Sequence, residues 1–295
     1  MADTIFFIVN ARIGEQKIHL LKQSVALYLK QKPVEVHITE YGGHAKELAK
    51  EAVKKECRIL VAVGGDGTVN EVIQEVSMTN IVLAIIPTGS GNGLARHCSI
   101  PLKIPEAVKL ISEGKTVTID LGLANGVYFI SNAGVGFDAW VCNTIKQTKS
   151  RGLKMYIRQV IRNYFSYTSD TYEIETDGNT MTKKAFFLNI ANGKEFGYGF
   201  QIAPEATLQD GYLDMILVEK INILNGLSFV IDGWRKKLIH NKHCLYIRAK
   251  KITIKGNRLH YFQTDGDAHD CNGSCTITVV PGALKLLVPT YINEV

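Results

Sequence analysis

Between an apolar run ending at Val63 and an amphipathic stretch beginning at Val69, the chain places Gly64, Gly65, Asp66, Gly67 and Thr68, with Asn70 and Glu71 close behind. Glycines adopt backbone angles closed to other residues and leave no Cβ between the main chain and a bound phosphate. Their N–H groups, joined to the unpaired donors and positive end of a helix starting here, make an anion site. Asp66 is the anomaly. A carboxylate beside a polyphosphate is repelled unless a divalent cation bridges them or the acid takes a proton from an attacking group. The plainer alternative is a glycine-rich turn in which Asp66 caps the helix. The complete string in a strand-turn-helix setting favours phosphate binding.

A second glycine-rich stretch, Pro87 to Arg96, follows the next apolar run, with Gly89, Gly91 and Gly93 at alternate positions. In a parallel sheet both loops fall at the carboxyl ends of neighbouring strands, where ligands bind. The two can therefore enclose one polyphosphate. Ser90 and Asn92 add polar side chains and Arg96 a fixed positive charge. Gly114, Lys115 and Thr116 end like a P-loop, but Lys109 stands where the leading glycine is needed. Gly64 to Thr68 also lacks the dinucleotide-binding spacing. Kinase-type phosphate binding without a Walker lysine is what remains.

The elements that must position these loops follow from periodicity. Apolar runs at 4–9, 34–38, 59–63 and 81–86 read as strands, alternating with helical patterns at 16–31, 44–55 and 69–76. That alternation predicts βαβ units on a mostly parallel sheet. From residue 117 the character changes to short strands at 117–121, 128–132, 172–176, 185–191, 213–218, 252–254 and 276–280, with helical insertions at 139–167 and 223–240. The expected architecture is an α/β nucleotide-binding domain over residues 1–117 and a β-sandwich-like domain with helical insertions over 118–283. The run 284–289 could return to either, so 284–295 is open to joining the first domain.

Composition narrows the class. With 46% hydrophobic and 21% charged residues over 295 positions, the chain is long enough for two ordinary domains with buried cores. No apolar run approaches the length of a membrane span, and the N-terminus lacks signal-peptide features, so a cytoplasmic protein is expected. Six dispersed cysteines suggest reduced thiols. The net charge of +6 suits a protein that meets polyanions such as ATP or an anionic membrane surface.

At these residues the chain resembles the diacylglycerol kinase catalytic family, which includes sphingosine kinases and bacterial lipid kinases, and the likeness covers nearly the whole chain. Residues 10–14 resemble its opening loop, beginning at Asn10, with Ala11 in place of a proline and Ile13 in place of a serine. Thr39 and Glu40, ahead of His44 and Ala45, resemble its first nucleotide-side loop, Thr39 matching a residue that contacts ATP. Gly64, Gly65, Asp66, Gly67, Thr68, Val69 and Asn70 match its ATP loop, and Ser90 falls where a nucleotide-contacting threonine is usual. Residues 131–138 and 192–194, with Gly197 and Gly199, resemble its glycine-rich crossover loops. Residues 203–214 resemble a segment that holds a structural magnesium in bacterial members. By that resemblance Asp210 binds through its carboxylate, and Thr207 and Tyr212 through backbone carbonyls. Thr264 to Asp267 matches a segment where the family reads Asp-Gly-Glu and the acid is the proposed general base; Asp267 here replaces the glutamate. Asp66 is the alternative base, and Asp265-Gly266 also reads as a plain turn.

The resemblance implies an ATP-dependent lipid kinase using ATP and Mg2+, with a diacylglycerol or sphingoid-base lipid presented at the membrane surface. Gly89 to Ala95 is closer to sphingosine kinases, while Arg96 points the other way. A helix bearing Lys146, Lys149, Arg151, Lys154, Arg158 and Arg162, with Tyr156, Ile157, Ile161 and Phe165, could rest on an anionic membrane on the inner face, or be a solvated face. Trp234, Arg235, Lys236 and Lys237 form a second such patch. His260, His269, Cys271 and Cys275 read as a hairpin region rather than a zinc site. Nucleic acid is not an expected partner, and a homodimer is left open. Two rivals stand beside the lipid kinase: an NAD kinase, which shares the Gly64 to Thr68 loop and the Asn70-Glu71 pair, and a catalytically silent lipid-binding or regulatory homologue, hinted at by Asp267.

Overall fold

The computed structural model describes residues 2–148, 153–197, 200–222, 229, 231–235, 237–238 and 241–292. Two compact units emerge: Met1–Leu121 with Pro281–Val295, and Gly122–Val280.

In the first unit, β1 (Ala2–Val9), β2 (Val34–Ile38), β3 (Cys57–Gly64) and β4 (Val82–Pro87) pair in parallel in the order β2-β1-β3-β4. Phe7 lies between Val36 and Val61, and Val61 beside Ala84. The central strands are unbroken apolar runs because both faces are covered: Ile5 to Val9 and Leu60 to Val63 are buried throughout. The cover comes from α1 (Glu15–Tyr28), α2 (His44–Lys54), α3 (Asp66–Val76), the short α4 (Gly93–His97) and α5 (Ile104–Glu113). Helix α2 shows the mechanism. Its buried residues, Ala45, Leu48, Ala49 and Ala52, recur at helical spacing on one face. Strand β5 (Lys115–Ala124) then carries the chain out of this unit.

The second unit is antiparallel. After β6 (Val127–Phe129) come β7 (Asn132–Gly136), α6 (Phe137–Lys146), α7 (Leu153–Tyr164), β8 (Asp170–Thr176), β9 (Asn179–Ala185) and β10 (Phe187–Ala191). The short pair β11 (Glu195–Gly197) and β12 (Phe200–Gln201) follows. The remaining strands are β13 (Leu213–Val218), β14 (Cys244–Ala249), β15 (Lys251–Lys255), β16 (Tyr261–Thr264), β17 (Asp267–Asp270) and β18 (Ser274–Val288). One layer runs β14-β13-β10-β7-β16-β17; the other joins β9, β8 and β15 to residues 274–278 of β18. Tyr172, Ile174, Ile252, Ile254 and Ile277 of the second layer share a core with Val135, Leu188, Ile190, Met215 and Phe262 of the first. Along β8 the alternation is strict, with Tyr172, Ile174 and Thr176 inward and Thr171, Glu173 and Glu175 outward. Phe137 and Val141 of α6 and Tyr156, Val160 and Tyr164 of α7 pack around Phe186. Three hairpins turn on residue pairs with positive φ at both positions, Asn125-Gly126, Asp177-Gly178 and Asp265-Gly266, the geometry that tight two-residue turns require.

The expected α/β and β-sandwich-like classes are what the chain forms, with differences in detail. The anticipated strand at 128–132 is two strands, β6 and β7, because the chain bends at Ile130 and Ser131, whose amides bind the Asp265 carboxylate. The insertion at 139–167 is two helices, with 149–152 outside the described residues. Most of the 223–240 insertion also lies outside them, though residues 231–234 are helical. The final strand does return: Lys285 and Leu286 of β18 pair in parallel with Val82 and Leu83 of β4. No helix among the described residues is long and apolar enough to cross a membrane.

Candidate active site

The parallel strands of the first unit deliver their carboxyl ends to one rim, and the sequence-nominated loops lie there. Asn10 follows β1, and its side-chain amide donates to the Thr68 hydroxyl at 2.9 Å. Thr39 follows β2, and its hydroxyl accepts the Ala11 amide at 3.2 Å. Gly64 ends β3, and its carbonyl accepts the Thr88 amide beyond β4 at 2.9 Å. Four consecutive loops are thereby cross-braced.

Asp66 joins the two glycine-rich loops. One carboxylate oxygen accepts the Asn92 amide at 2.9 Å and the other the Gly93 amide at 2.6 Å. It therefore does not cap its own helix, where Gly65 holds the cap position and Asp66 is the first helical residue. Glycine is required at the points of closest approach. A Cβ on Gly89 would lie 2.5 Å from the Gly65 Cα, and one on Gly91 would lie 2.6 Å from an Asp66 oxygen. Asn92 sits at φ 54°, and its side chain closes the loop on itself, accepting from the Gly89 amide at 3.0 Å and donating to the Gly89 carbonyl at 2.8 Å. The Arg96 Nε donates to the Gly91 carbonyl at 2.9 Å, and its guanidinium forms no ion pair among the described residues.

Some nominated residues sit elsewhere than on the rim. Val69 is buried on the core side of α3, with its amide bonded to the Gly65 carbonyl. Asn70 is buried too, and its side-chain oxygen finds no partner among the described residues, an orphan that a water or ligand hydroxyl would satisfy. Ser90 is exposed in its loop. Glu71 has a role that the sequence reading did not assign: its carboxylate accepts the Gly43 and Ala45 amides at 3.0 and 3.1 Å and so caps α2 from outside.

In the second unit the Asp265-Gly266 turn presents Asp267 at the head of β17, exposed and accepting no hydrogen bond from the described residues. The two acids of this turn differ in use. Asp265 accepts the Ile130, Ser131 and Asn132 amides at 2.8, 2.8 and 3.0 Å. Behind the turn lies a buried polar network. The Gln263 side-chain oxygen accepts the Gly266 amide at 2.8 Å, while its nitrogen donates to Asn132 and Asp138 at 2.8 Å each. Asn189 also donates to Asn132, and Tyr156 to Asp138. Burial pushes the Asp138 carboxyl up to about 6, against the pull of its Tyr156 and Gln263 donors. Thr264, directly opposite Asp267, pairs its hydroxyl with His269 Nε2 at 2.7 Å, and burial lowers the His269 pKa.

The expected magnesium segment does not offer a free carboxylate. One Asp210 oxygen accepts the Tyr212 amide at 3.0 Å, and the other lies 2.5 Å from Arg248 Nη2. The Thr207 hydroxyl accepts the Gln209 amide at 3.2 Å. No group of three or more His, Cys, Asp or Glu side chains among the described residues could hold a metal, which includes the His260, His269, Cys271 and Cys275 region. On α7, Arg158 and Arg162 are exposed beside the outward Ile157 and Ile161, 47% and 64% exposed, and Phe165, just past the end of the helix, is 71% exposed. Lys149, Arg151, Lys236 and Gly199 lie outside the described residues, as does the side chain of Lys154.

The model of the diacylglycerol kinase catalytic domain matches residues 4–124, and that of the YegS C-terminal NAD kinase beta sandwich-like domain matches residues 131–288. The chain belongs to the diacylglycerol kinase/YegS-like lipid kinase family. Within this lipid kinase family it is 31% identical over 296 residues to a protein of Serratia proteamaculans (strain 568) named "Probable lipid kinase YegS-like", covering 98% of this chain and 94% of that one. It is 28% identical over 236 residues to the diacylglycerol kinase of Bacillus subtilis (strain 168), 78% of each chain. Among solved structures, a diacylglycerol kinase from Bacillus anthracis str. Sterne shares its fold with a TM-score of 0.77 at 23% identity, covering 99% of this chain and 98% of that chain. An NAD kinase from Archaeoglobus fulgidus in complex with ATP shares the fold more distantly, with a TM-score of 0.54 at 15% identity, covering 97% and 94%. The lipid kinase fold and that of the NAD kinase are thus variants of one architecture.

Proposed function

We propose that this chain transfers the terminal phosphoryl group of ATP to a hydroxyl of a membrane lipid of the diacylglycerol or sphingoid-base type. The observation that carries the reading is the lock between the two glycine-rich loops, Asp66 on the amides of Asn92 and Gly93. It holds a cradle ready-made, with glycine at the points of closest approach and with the Arg96 guanidinium beside it, in no ion pair among the described residues. Phosphoryl transfer asks mainly for positioning and charge neutralisation, which such a cradle supplies. Magnesium, when bound with the triphosphate, neutralises its oxygens; Asp66 retains carboxylate lone pairs beyond its two amide bonds and is the rim residue that would hold the ion.

In this reading the two candidate acids divide the work. Asp66 anchors the loop, and Asp267, whose exposed side chain accepts no hydrogen bond from the described residues, takes the proton of the lipid hydroxyl. The Gln263, Asn132 and Asp265 bonds hold the turn that carries Asp267 in one geometry. The outer row of α7 with Arg158 and Arg162 suits peripheral attachment to an anionic membrane, because the helix carries basic and apolar residues and no acid.

The experiment is a transfer assay with radiolabelled ATP, offering diacylglycerol micelles, sphingoid-base micelles and NAD in separate reactions, with product masses. Label in a lipid is the expected result. Label in NAD alone, or ATP bound with no labelled product, would overturn the proposal in favour of an NAD kinase or a silent homologue.

A further inference from the structure

The Asp210 segment already contains a cation. Arg248 on β14 stands directly opposite Asp214 of β13 in the antiparallel ladder. Its guanidinium places Nη2 2.5 Å from Asp210 and Nε 3.6 Å from Asp214, and its central carbon lies 4.9 Å from the centre of the Tyr212 ring. The charge is thus shared between two carboxylates and an aromatic face. Asp214 is 1% exposed, and burial raises its pKa while Tyr246 and Arg248 pull the other way. The Tyr246 hydroxyl donates to the same Asp214 oxygen that faces Arg248. Lys250, just past the end of β14, places its ammonium 5.0 Å from the centre of the Tyr212 ring.

A divalent ion on Asp210 would lie against a fixed positive charge at contact distance, where like charges repel strongly. A guanidinium also satisfies its partners differently. It delivers directed donors to two acids at once, whereas a hard cation collects a shell of oxygens.

We propose that Arg248 is the resident cation of this segment, its guanidinium standing where the family resemblance places a structural magnesium, so that residues 203–214 are held without metal. The assignment is independent of which substrate is phosphorylated, because it concerns the fold of the second unit alone.

The test is thermal unfolding of the whole protein without nucleotide, in EDTA and then with excess Mg2+ or Ca2+. The wild type is expected to melt at the same temperature in all three. Arg248→Met leaves Asp210 and Asp214 without their neutralising charge, so its midpoint should fall in EDTA and recover by roughly 4 °C or more on adding either ion. Asp210→Asn combined with Arg248→Met should lose that recovery. If Arg248→Met does not fold, Arg248→Lys keeps the charge and should stay insensitive to metal. A wild-type midpoint that rises with Mg2+, and no longer does so in Asp210→Asn, would overturn the proposal.

Discussion

The Asp66 carboxylate and the Gly93 amide meet at 2.6 Å, joining two loops that are far apart in sequence. This bond makes Asp66 a brace for the second loop, and it separates the expected consequences of losing either acid. Asp66→Ala should raise the KM for ATP about tenfold or more, because the Pro87 to Arg96 loop loses its anchor. Asp267→Asn should lower kcat by roughly a hundredfold or more with KM for ATP nearly unchanged. Asp267→Glu, which restores the acid the family usually carries, should keep activity within about tenfold of wild type. Steady-state kinetics on the three variants decide it; a kcat loss confined to Asp66→Ala would reverse the roles.

The loops also touch backbone to backbone, which predicts opposite outcomes for two similar substitutions. Gly89→Ala places its Cβ 2.5 Å from the Gly65 Cα, a clash with main chain that no rotamer relieves. Gly67→Ala meets nothing within 4 Å. Titration with a fluorescent ATP analogue should therefore show binding lost in Gly89→Ala, whose loops must part. In Gly67→Ala the fold should be intact, so any weakening reflects the approach of phosphate to the main chain.

Asp138 gives a pH signature. Its carboxyl is held up near 6 by burial, while in the unfolded chain an aspartate titrates near ~3.9. The folded state binds this proton more tightly, so its contribution to stability grows as pH falls from about 6 to about 4, by up to about 3 kcal/mol, and is absent above 6. Asp138→Asn can keep the Gln263 bond through its side-chain oxygen and donate its amide to the Tyr156 hydroxyl, which then accepts. The variant should show a flatter melting temperature than wild type over that interval and a higher one near pH ~7.5. Parallel pH profiles of the two proteins would refute the assignment.

The outer row of α7 can be tested with vesicles. Ile161 and Phe165 are the most exposed apolar side chains of this helix region, and burying each in the headgroup boundary is worth about 1.5–3 kcal/mol at full burial. Ile161→Glu with Phe165→Glu should weaken sedimentation with anionic vesicles about tenfold or more. Arg158→Glu with Arg162→Glu should remove the preference for anionic over zwitterionic vesicles, and added salt should do the same to the wild type. Unchanged binding in both doubles would exclude this face.

What the sequence made legible was set by local physics. The parallel sheet could be read because strands buried on both faces are continuous apolar runs, as in Phe6 to Val9 and Leu60 to Val63. Strands β9 and β17 were not, since Thr182, Lys183 and Lys184 and the Asp267 to Asp270 stretch carry no apolar alternation and take their form from a neighbouring strand. The glycine loops announced themselves by composition, but motif matching assigns a segment and not a direction, which is why Val69 and Asn70 were nominated with the rim residues and lie inside α3. Gln263 carried no signal, and Asp138 entered only as the last residue of a stretch matched for its glycines. A buried polar residue is indistinguishable from a surface one until the helix that covers it is in place.

The strand beside β4 comes from far along the chain. Lys285 and Leu286 pair with β4, which ends some two hundred residues earlier, with the whole second unit spliced between. On the ribosome the first unit must wait with the β4 edge bare, a state that invites mispairing. A fragment cut after Leu121 would stay in that waiting state, with the β4 edge unpaired, whereas Gly122–Val280 carries its own core between ends that are both internal to the chain.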